Sequence, residues 1–183
     1  DDAAAEVLKR TQKTPKKEKD LRRVLEDKEV DAVVCAAPDH WHAPAALMTM
    51  QAGKAIYVEK PVSYNPREGE MLVEAADKYR AVFQMGSQRR SSTVYQQVIK
   101  EVHGGLIGAP RFARCWYATQ RAPIGKGNKV AVPEWLDWDL WQGPAPRRAY
   151  QENEVHYTWN WFHHWGTGES GNNATHYVDI AGR

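Results

Sequence analysis

A lysine set between an acid and a proline closes the apolar run Ala55-Ile56-Tyr57-Val58, giving Glu59-Lys60-Pro61. Proline fixes its own φ and holds the residue before it extended, so Lys60 sits on a stiff strand exit. A lysine held there can give or take a proton, because its pKa falls when it is desolvated or placed near another positive charge. The same tripeptide also serves as an ordinary solvated strand end. Other candidates carry similar alternatives. Asp39, opening Asp39-His40-Trp41-His42, reads as the cap of a following helix. Arg89-Arg90 suits a phosphate grip or a solvated pair. His176 and Asp179, three apart, read as a surface helical pair. Adjacent His163 and His164 would face opposite sides of a strand. His40, His42 and Glu169 have no known metal spacing, so no metal site is expected.

The elements that must position these residues follow a regular order. Residues 3–10 form a helix stretch, with Asp1 and Asp2 as N-cap groups, and residues 18–28 form a second. Val30 to Pro38 is nearly continuous apolar sequence, as in a parallel strand buried on both faces. A helix from Ala43 to Gln51 follows, with Pro44 in its first turn and Gly53 closing it. The strand 55–58 comes next, then a helix from Asn65-Pro66 to about Tyr79, and a strand over 81–85. Strand, helix, strand, helix, strand at this spacing is the parallel doubly wound pattern. In such sheets ligands bind at the carboxyl ends of the strands, which is where Lys60 falls. The glycine turn GxGxxG that grips a pyrophosphate is absent from the first third, so either the fold is another one or its first strand, turn and helix are missing. Further on, a helix is expected from Ser91 to His103 and a strand over Arg111 to Tyr117, the first of a different sheet. A loop covers 119–134, an aromatic segment Trp135 to Trp141, and a glycine-rich loop 166–171 leads to a helix-like run with His176.

The 183 residues are 42% hydrophobic and 26% charged, the balance of a globular protein with one domain or two small ones. A formal net charge of +2, from 25 basic and 23 acidic residues, gives no sign of nucleic acid or a membrane surface. No apolar run approaches the roughly 20 residues that span a bilayer, and no signal peptide is visible. Cys35 lies in a strand pattern far from Cys115, so a buried thiol is expected rather than a disulfide. The tryptophans, mostly after Trp116, suit core or interface, with one or two plausible as sugar platforms.

Five blocks then add up. APDHWH at 37–42, AGKAIYVEKPVSYN at 52–65, QMGSQRRS at 84–91, WQGPAP at 141–146 and WFHHWGTGESGNNATHYVDIA at 161–181 resemble, in order, the glucose–fructose oxidoreductase/inositol dehydrogenase family (Gfo/Idh/MocA). The resemblance implies the later part of an NAD(P)-binding Rossmann domain over 1–90. It implies part of an α+β substrate and oligomerisation domain, with an open sheet, over 91–183. It implies NAD or NADP as cofactor, a small carbohydrate or polyol substrate, and a homo-oligomer at full length. Lys60 takes the place of the family's lysine near the nicotinamide, and His176 that of its catalytic histidine. Many members carry an acid four residues before that histidine, where this chain has Asn172, so proton handling falls to His176 and Lys60. Pro38, Asp39 and His42 match the family's loop beside the cofactor ribose and nicotinamide, Glu59, Lys60 and Pro61 form the family's EKP block at the cofactor, and Gln88 matches a residue bordering the nicotinamide. Removing hydride from an alcohol carbon also removes its hydroxyl proton, a task for a base of pKa near 7 such as His176. Asn172 is expected to hydrogen-bond the substrate.

The reading is therefore an incomplete chain of an oxidoreductase moving hydride between nicotinamide and a hydroxyl carbon of a sugar, cyclitol or related molecule. The chain alone is expected to bind cofactor poorly and to show little activity. Two other classes stand beside it: a relative that cleaves glycosides with transient use of the cofactor, and a non-catalytic sugar-binding or assembly subunit. The sequence chooses neither the sugar, nor NAD over NADP, nor cytoplasm over periplasm.

Overall fold

A computed structural model describes residues 2–183. Asp1, read with Asp2 as an N-cap, lies outside the described residues, and Asp2 is the first residue of helix α1 (Asp2–Thr11). Helix α2 (Leu21–Glu26) is shorter than the expected 18–28, because Asp20 caps it by accepting from the Arg22 N–H.

Three strands, β1 (Ala32–Cys35), β2 (Ala55–Glu59) and β3 (Phe83–Gly86), pair in parallel in that order. Ala32 faces Ala55, and Glu59 at the end of β2 faces Gly86. Parallel neighbours need long crossovers, supplied by α3 (Asp39–Gln51) and α4 (Pro66–Tyr79). Asn65 caps α4 by accepting from the Glu68 N–H at 3.0 Å, while Glu68 reaches back to the Tyr64 N–H at 2.8 Å. The alanines of α3, Ala43, Ala45 and Ala46, let it approach the sheet closely. They pack with Met50, Ile56, Val58 and Leu72. Each such large apolar side chain contributes about 1.5–3 kcal/mol on burial.

The strand at 32–35 is not buried on both faces as its composition suggests. Val34 is 72% exposed, as is Val82 beside β3 at 74%. Helices α3 and α4 pack beneath β2 through alternate residues, Ile56 and Val58, while the opposite-facing residues of β2 stay half-buried.

Beyond β3 a 3-10 turn (Gln88–Ser91) leads into α5 (Thr93–His103). The strand expected over Arg111 to Tyr117 does not form. That segment has no ladder partner among the described residues, and Phe112 and Trp116 are exposed. In the second half the described residues show one isolated bridge, Lys129 with Gln151. Its core is aromatic instead. Trp165, fully buried, meets Trp138 and Trp141 edge-on at 5.4 and 5.0 Å, with Tyr150 and Phe162 around them. Arg148 lies 5.2 Å over the Trp165 ring and 3.3 Å from the buried Glu154 carboxylate, whose pKa burial pushes up. Short helix α6 (Trp138–Gln142), a 3-10 turn (Thr158–Trp161), a π-turn (Ser170–Ala174) and α7 (Thr175–Ala181) complete the chain.

Candidate active site

The site lies at the carboxyl ends of β1 and β2, where the second half folds back over the sheet. Lys60 leaves β2 immediately before Pro61, across a cis peptide bond. Its Nζ donates to the Asn172 side-chain Oδ1 at 2.7 Å and to the Asn172 main-chain carbonyl at 2.9 Å. An ammonium has three donors, so one is left for a ligand oxygen. Burial lowers the Lys60 pKa, opposed by the negative charges of Asp39, Glu59 and Glu169.

Asn172 belongs to the π-turn, a widened helical turn of the kind often found at functional sites. Gly171 allows the close approach. A Cβ there would fall 1.8 Å from Thr167 Oγ1 and 3.1 Å from Pro61 Cγ. The turn runs directly into α7, which carries His176. That imidazole is 9% exposed, and its pKa is lowered by burial first and then by the positive charges of Lys60 and Arg89. It is therefore a neutral base at pH 7. The reading of His176 and Asp179 as a surface pair gives way to a different arrangement. Asp179 pairs with Arg90 through Arg90 Nε at 2.8 Å and through its second oxygen with Arg90 Nη2. Arg89 stacks 4.7 Å from the Tyr177 ring centroid and donates to the Tyr95 hydroxyl at 2.9 Å. The two arginines thus fasten α7 to the turn after β3, rather than gripping a phosphate or standing free.

Glu59 keeps its space through its cross-strand partner. A Cβ on Gly86 would lie 2.9 Å from Glu59 Oε2 and 2.9 Å from the Tyr57 hydroxyl. His42, 2% exposed on α3, lies with Nδ1 2.5 Å from the Pro61 carbonyl. A carbonyl only accepts, so Nδ1 carries a proton, while Nε2 is buried without a protein partner.

The Asp39-His40-Trp41 segment does something its sequence did not disclose. Asp39 caps no N–H of its own helix. Its Oδ2 accepts from the Thr167 N–H at 2.9 Å and from Thr167 Oγ1 at 2.6 Å. His40 donates its main-chain N–H to the Trp165 carbonyl at 3.2 Å and Nε2 to the Trp141 carbonyl at 2.9 Å. Trp41 Nε1 reaches the same Trp141 carbonyl at 3.0 Å. The start of α3 is thus the seam between the sheet and the aromatic second half.

A cavity of about 240 Å3 is lined by Asp39, His42, Glu59, Lys60 and Asn172, with Tyr157, Trp159 and Asn160 contributed by the second half. His176 is coupled electrostatically to Lys60 and Glu59 without lining this cavity. Pro38 lines an adjoining, larger groove of about 1020 Å3 beside β1, which shares Ala36 and Ala37 with this cavity, and Gln88 is exposed at the start of its 3-10 turn, outside both. The lining residues Tyr157, Trp159 and Asn160 were missed as site residues. They lie in an aromatic run whose composition reads equally as core. Among the described residues no cluster of three or more His, Cys, Asp or Glu side chains is placed to hold a metal ion.

Comparison with known proteins fits this fold. Residues 1–87 match the family model described as an oxidoreductase family with an NAD-binding Rossmann fold, and residues 92–181 match the model of that family's C-terminal alpha/beta domain. The chain belongs to the Gfo/Idh/MocA oxidoreductase family. It is 32% identical over 116 residues to inositol 2-dehydrogenase 4 of Saccharopolyspora erythraea, covering 63% of this chain and 34% of that protein. It is 29% identical over 136 residues to the NAD(+)-dependent scyllo-inositol 2-dehydrogenase of Bacillus subtilis, covering 74% of this chain and 40% of that protein. Among solved structures, a probable dehydrogenase from Thermotoga maritima superposes with a TM-score of 0.52 at 27% identity, covering 60% of this chain and 33% of that one. The 3-ketoreductase KijD10 of Actinomadura kijaniata, solved with TDP-benzene and NADP, superposes with a TM-score of 0.51 at 25% identity, covering 58% and 32%. The matches thus span 34% and 40% of these two curated relatives' length.

Proposed function

We propose that this chain carries the proton-handling part of an NAD(P)-dependent dehydrogenase acting on a hydroxyl carbon of a cyclitol, sugar or similar polyol. Residues 1–90 form the Rossmann portion and 91–183 the substrate-domain portion. The observation that carries this reading is Lys60. It is desolvated at a strand exit of a parallel sheet, held by Asn172, and electrostatically coupled to a buried neutral histidine. The relatives named inositol 2-dehydrogenases support the substrate class.

The cavity fits one ring-sized group, being smaller than the roughly 300–1,000 Å3 of most ligand pockets. Its unpartnered His42 Nε2, the free donor on Lys60 and the small residues Ala36 and Ala37 suit the nicotinamide end with part of a polyol. Nicotinamide, when bound, supplies the hydride acceptor or donor. His42, Glu59 and the turn at Ala36 and Ala37 would hold it. The remaining work belongs to the chain. Lys60 donates its free N–H to the reacting hydroxyl oxygen and fixes its position. His176, uncharged near neutrality and outside the cavity lining, receives the proton by way of Lys60, which passes on one of its own as it takes the substrate's. Asn172 keeps Lys60 aimed, and Trp159 and Tyr157 cover the cavity from the second half.

Turnover tests the reading. The chain, expressed together with the coding sequence that flanks it in its source, is incubated with NAD(+) or NADP(+) and a panel of inositols and hexoses. Reduced nicotinamide is expected to accumulate, and His176→Ala is expected to slow it by about 100-fold or more, the usual contribution of a positioned acid or base. Turnover that survives both His176→Ala and Lys60→Ala would remove these residues from the mechanism.

A further inference from the structure

Asp39 is 4% exposed, yet it sits in the first turn of a 13-residue helix with no bond to that helix's own N–H groups. A buried carboxylate is costly unless hydrogen-bonded. Both bonds it accepts come from Thr167, 128 residues away in the glycine-rich loop. Thr167 lies five residues before Asn172, and Gly171 packs against the Thr167 side chain. The chain between them is therefore a short strap, fastened at one end by Asp39 and at the other by Lys60. Asp39 and Lys60 also line the same cavity.

The charges around Lys60 give the carboxylate a second part. Asn172, its direct partner, is neutral. The groups facing Lys60 are Asp39 from α3, Glu59 from β2, Glu169 from the loop before the π-turn and His176 from α7. Glu169 is already committed. It pairs with Arg121 at 3.0 Å and accepts from the Asn173 side-chain amide. Asp39 meets no cation within bonding distance among the described residues, and it stands at a helix N-terminus, where the macrodipole favours a negative charge. It is also the strongest of the acids acting on Lys60.

We infer that Asp39 is a positioning residue of this site: its carboxylate straps the loop carrying Asn172 to the sheet and supplies the negative charge that balances Lys60. The inference rests on the dehydrogenase reading only for its catalytic meaning. It differs from a cofactor-binding role for Asp39, since the oxygen that faces the second half is occupied by Thr167.

Two substitutions separate the parts. Asp39→Asn keeps an oxygen that can accept both Thr167 bonds and removes the charge. Thr167→Val keeps the charge and removes one donor. The Lys60 titration is followed by carbon-detected NMR of its ε-methylene in the chain, assigned with Lys60→Arg, and amide hydrogen exchange is read over residues 166–172. Asp39→Asn is expected to lower the Lys60 pKa further than Thr167→Val does. Thr167→Val is expected to speed exchange in the loop by about tenfold, the equilibrium worth of one charge-assisted bond, and Asp39→Asn to speed it less. An equal or reversed order in either readout overturns the inference. Both variants are near-isosteric, and retained chemical-shift dispersion shows that each folds. Neither readout needs turnover, so the strap can fail while the dehydrogenase reading stands, and a chain without turnover still reports on the strap.

Discussion

Lys60 and His176 reach the same end, a weakened hold on a proton, from different surroundings. Lys60 is pulled below its ordinary 10.5 by burial against three opposing acids. His176 is pulled below its ordinary 6.5 by burial and by two cations, against Glu59 and Asp179. In the proposed mechanism the working form has a neutral imidazole and a protonated lysine. The rate of hydride transfer should therefore rise through the lowered pKa of His176 and fall through the lowered pKa of Lys60. The bell is displaced to lower pH on both limbs relative to free histidine and lysine. Initial rates measured across pH check this. Asp179→Asn removes a charge that raises the His176 pKa, so it should move the acid limb lower still. An acid limb that stays in place would show that it belongs to another group.

At the scale of elements, the site depends on close approaches that only glycine permits. Gly171→Ala places a methyl group on the Thr167 side chain and against Pro61. Overpacking of this kind costs about 1–3 kcal/mol, and here the strain acts on the turn that aims Asn172. Loss of turnover should exceed the loss of stability, read by comparing rates with urea midpoints. The aromatic core behaves in the opposite sense. Trp165 touches Trp138, Trp141 and Phe162, and its main-chain carbonyl receives the His40 N–H. Trp165→Ala should cost about 3–5 kcal/mol, a large part of the roughly 5–15 kcal/mol that holds a typical domain. Thermal or urea denaturation would register it as a major drop in midpoint. Helix α7 takes its position from Arg90–Asp179 and Arg89–Tyr177, contacts between segments some 90 residues apart.

For the molecule as a whole, burial acts on several histidines in one direction. His40 and His176, both buried, have pKa values lowered below 6.5 with burial the largest cause, and the exposed His164 shifts the same way. Between each folded value and 6.5 the unfolded chain binds a proton that the folded chain does not. Stability is therefore lost as pH falls through 6.5, and the loss levels off below the folded values. His40 shows why: Nε2 already donates to Trp141, and a proton added at Nδ1 would be buried without an acceptor. Glu154 runs the other way, since its raised pKa makes acidification favourable to the fold. A lowered carboxylate such as Asp179 adds stability that is fully present above its ordinary 3.8 and is lost only as pH falls below that value. Urea midpoints should fall between about pH 7 and pH 5, and His40→Gln, which keeps a donor toward Trp141, should flatten that slope. A slope unchanged in this variant would assign the pH dependence elsewhere.

Local sequence determined the sheet and its helices, because periodicity, Asn65-Pro66, Gly53 and the Lys60-Pro61 stop act within a few residues of themselves. The resemblance of five motifs to the family likewise pointed to Lys60, Asn172 and His176 as candidate site residues. Only the tertiary structure decided what those side chains touch. Asp39 reads as a helix cap and accepts from Thr167 instead, Arg89 and Arg90 read as a phosphate grip or a solvated pair and hold α7, and the run at 111–117 has strand composition but no ladder partner among the described residues. The first two of these outcomes depend on groups 128 and 89 residues away. A hydrogen bond or ion pair across such a distance leaves no period in the sequence, since its geometry exists only after the two halves have packed.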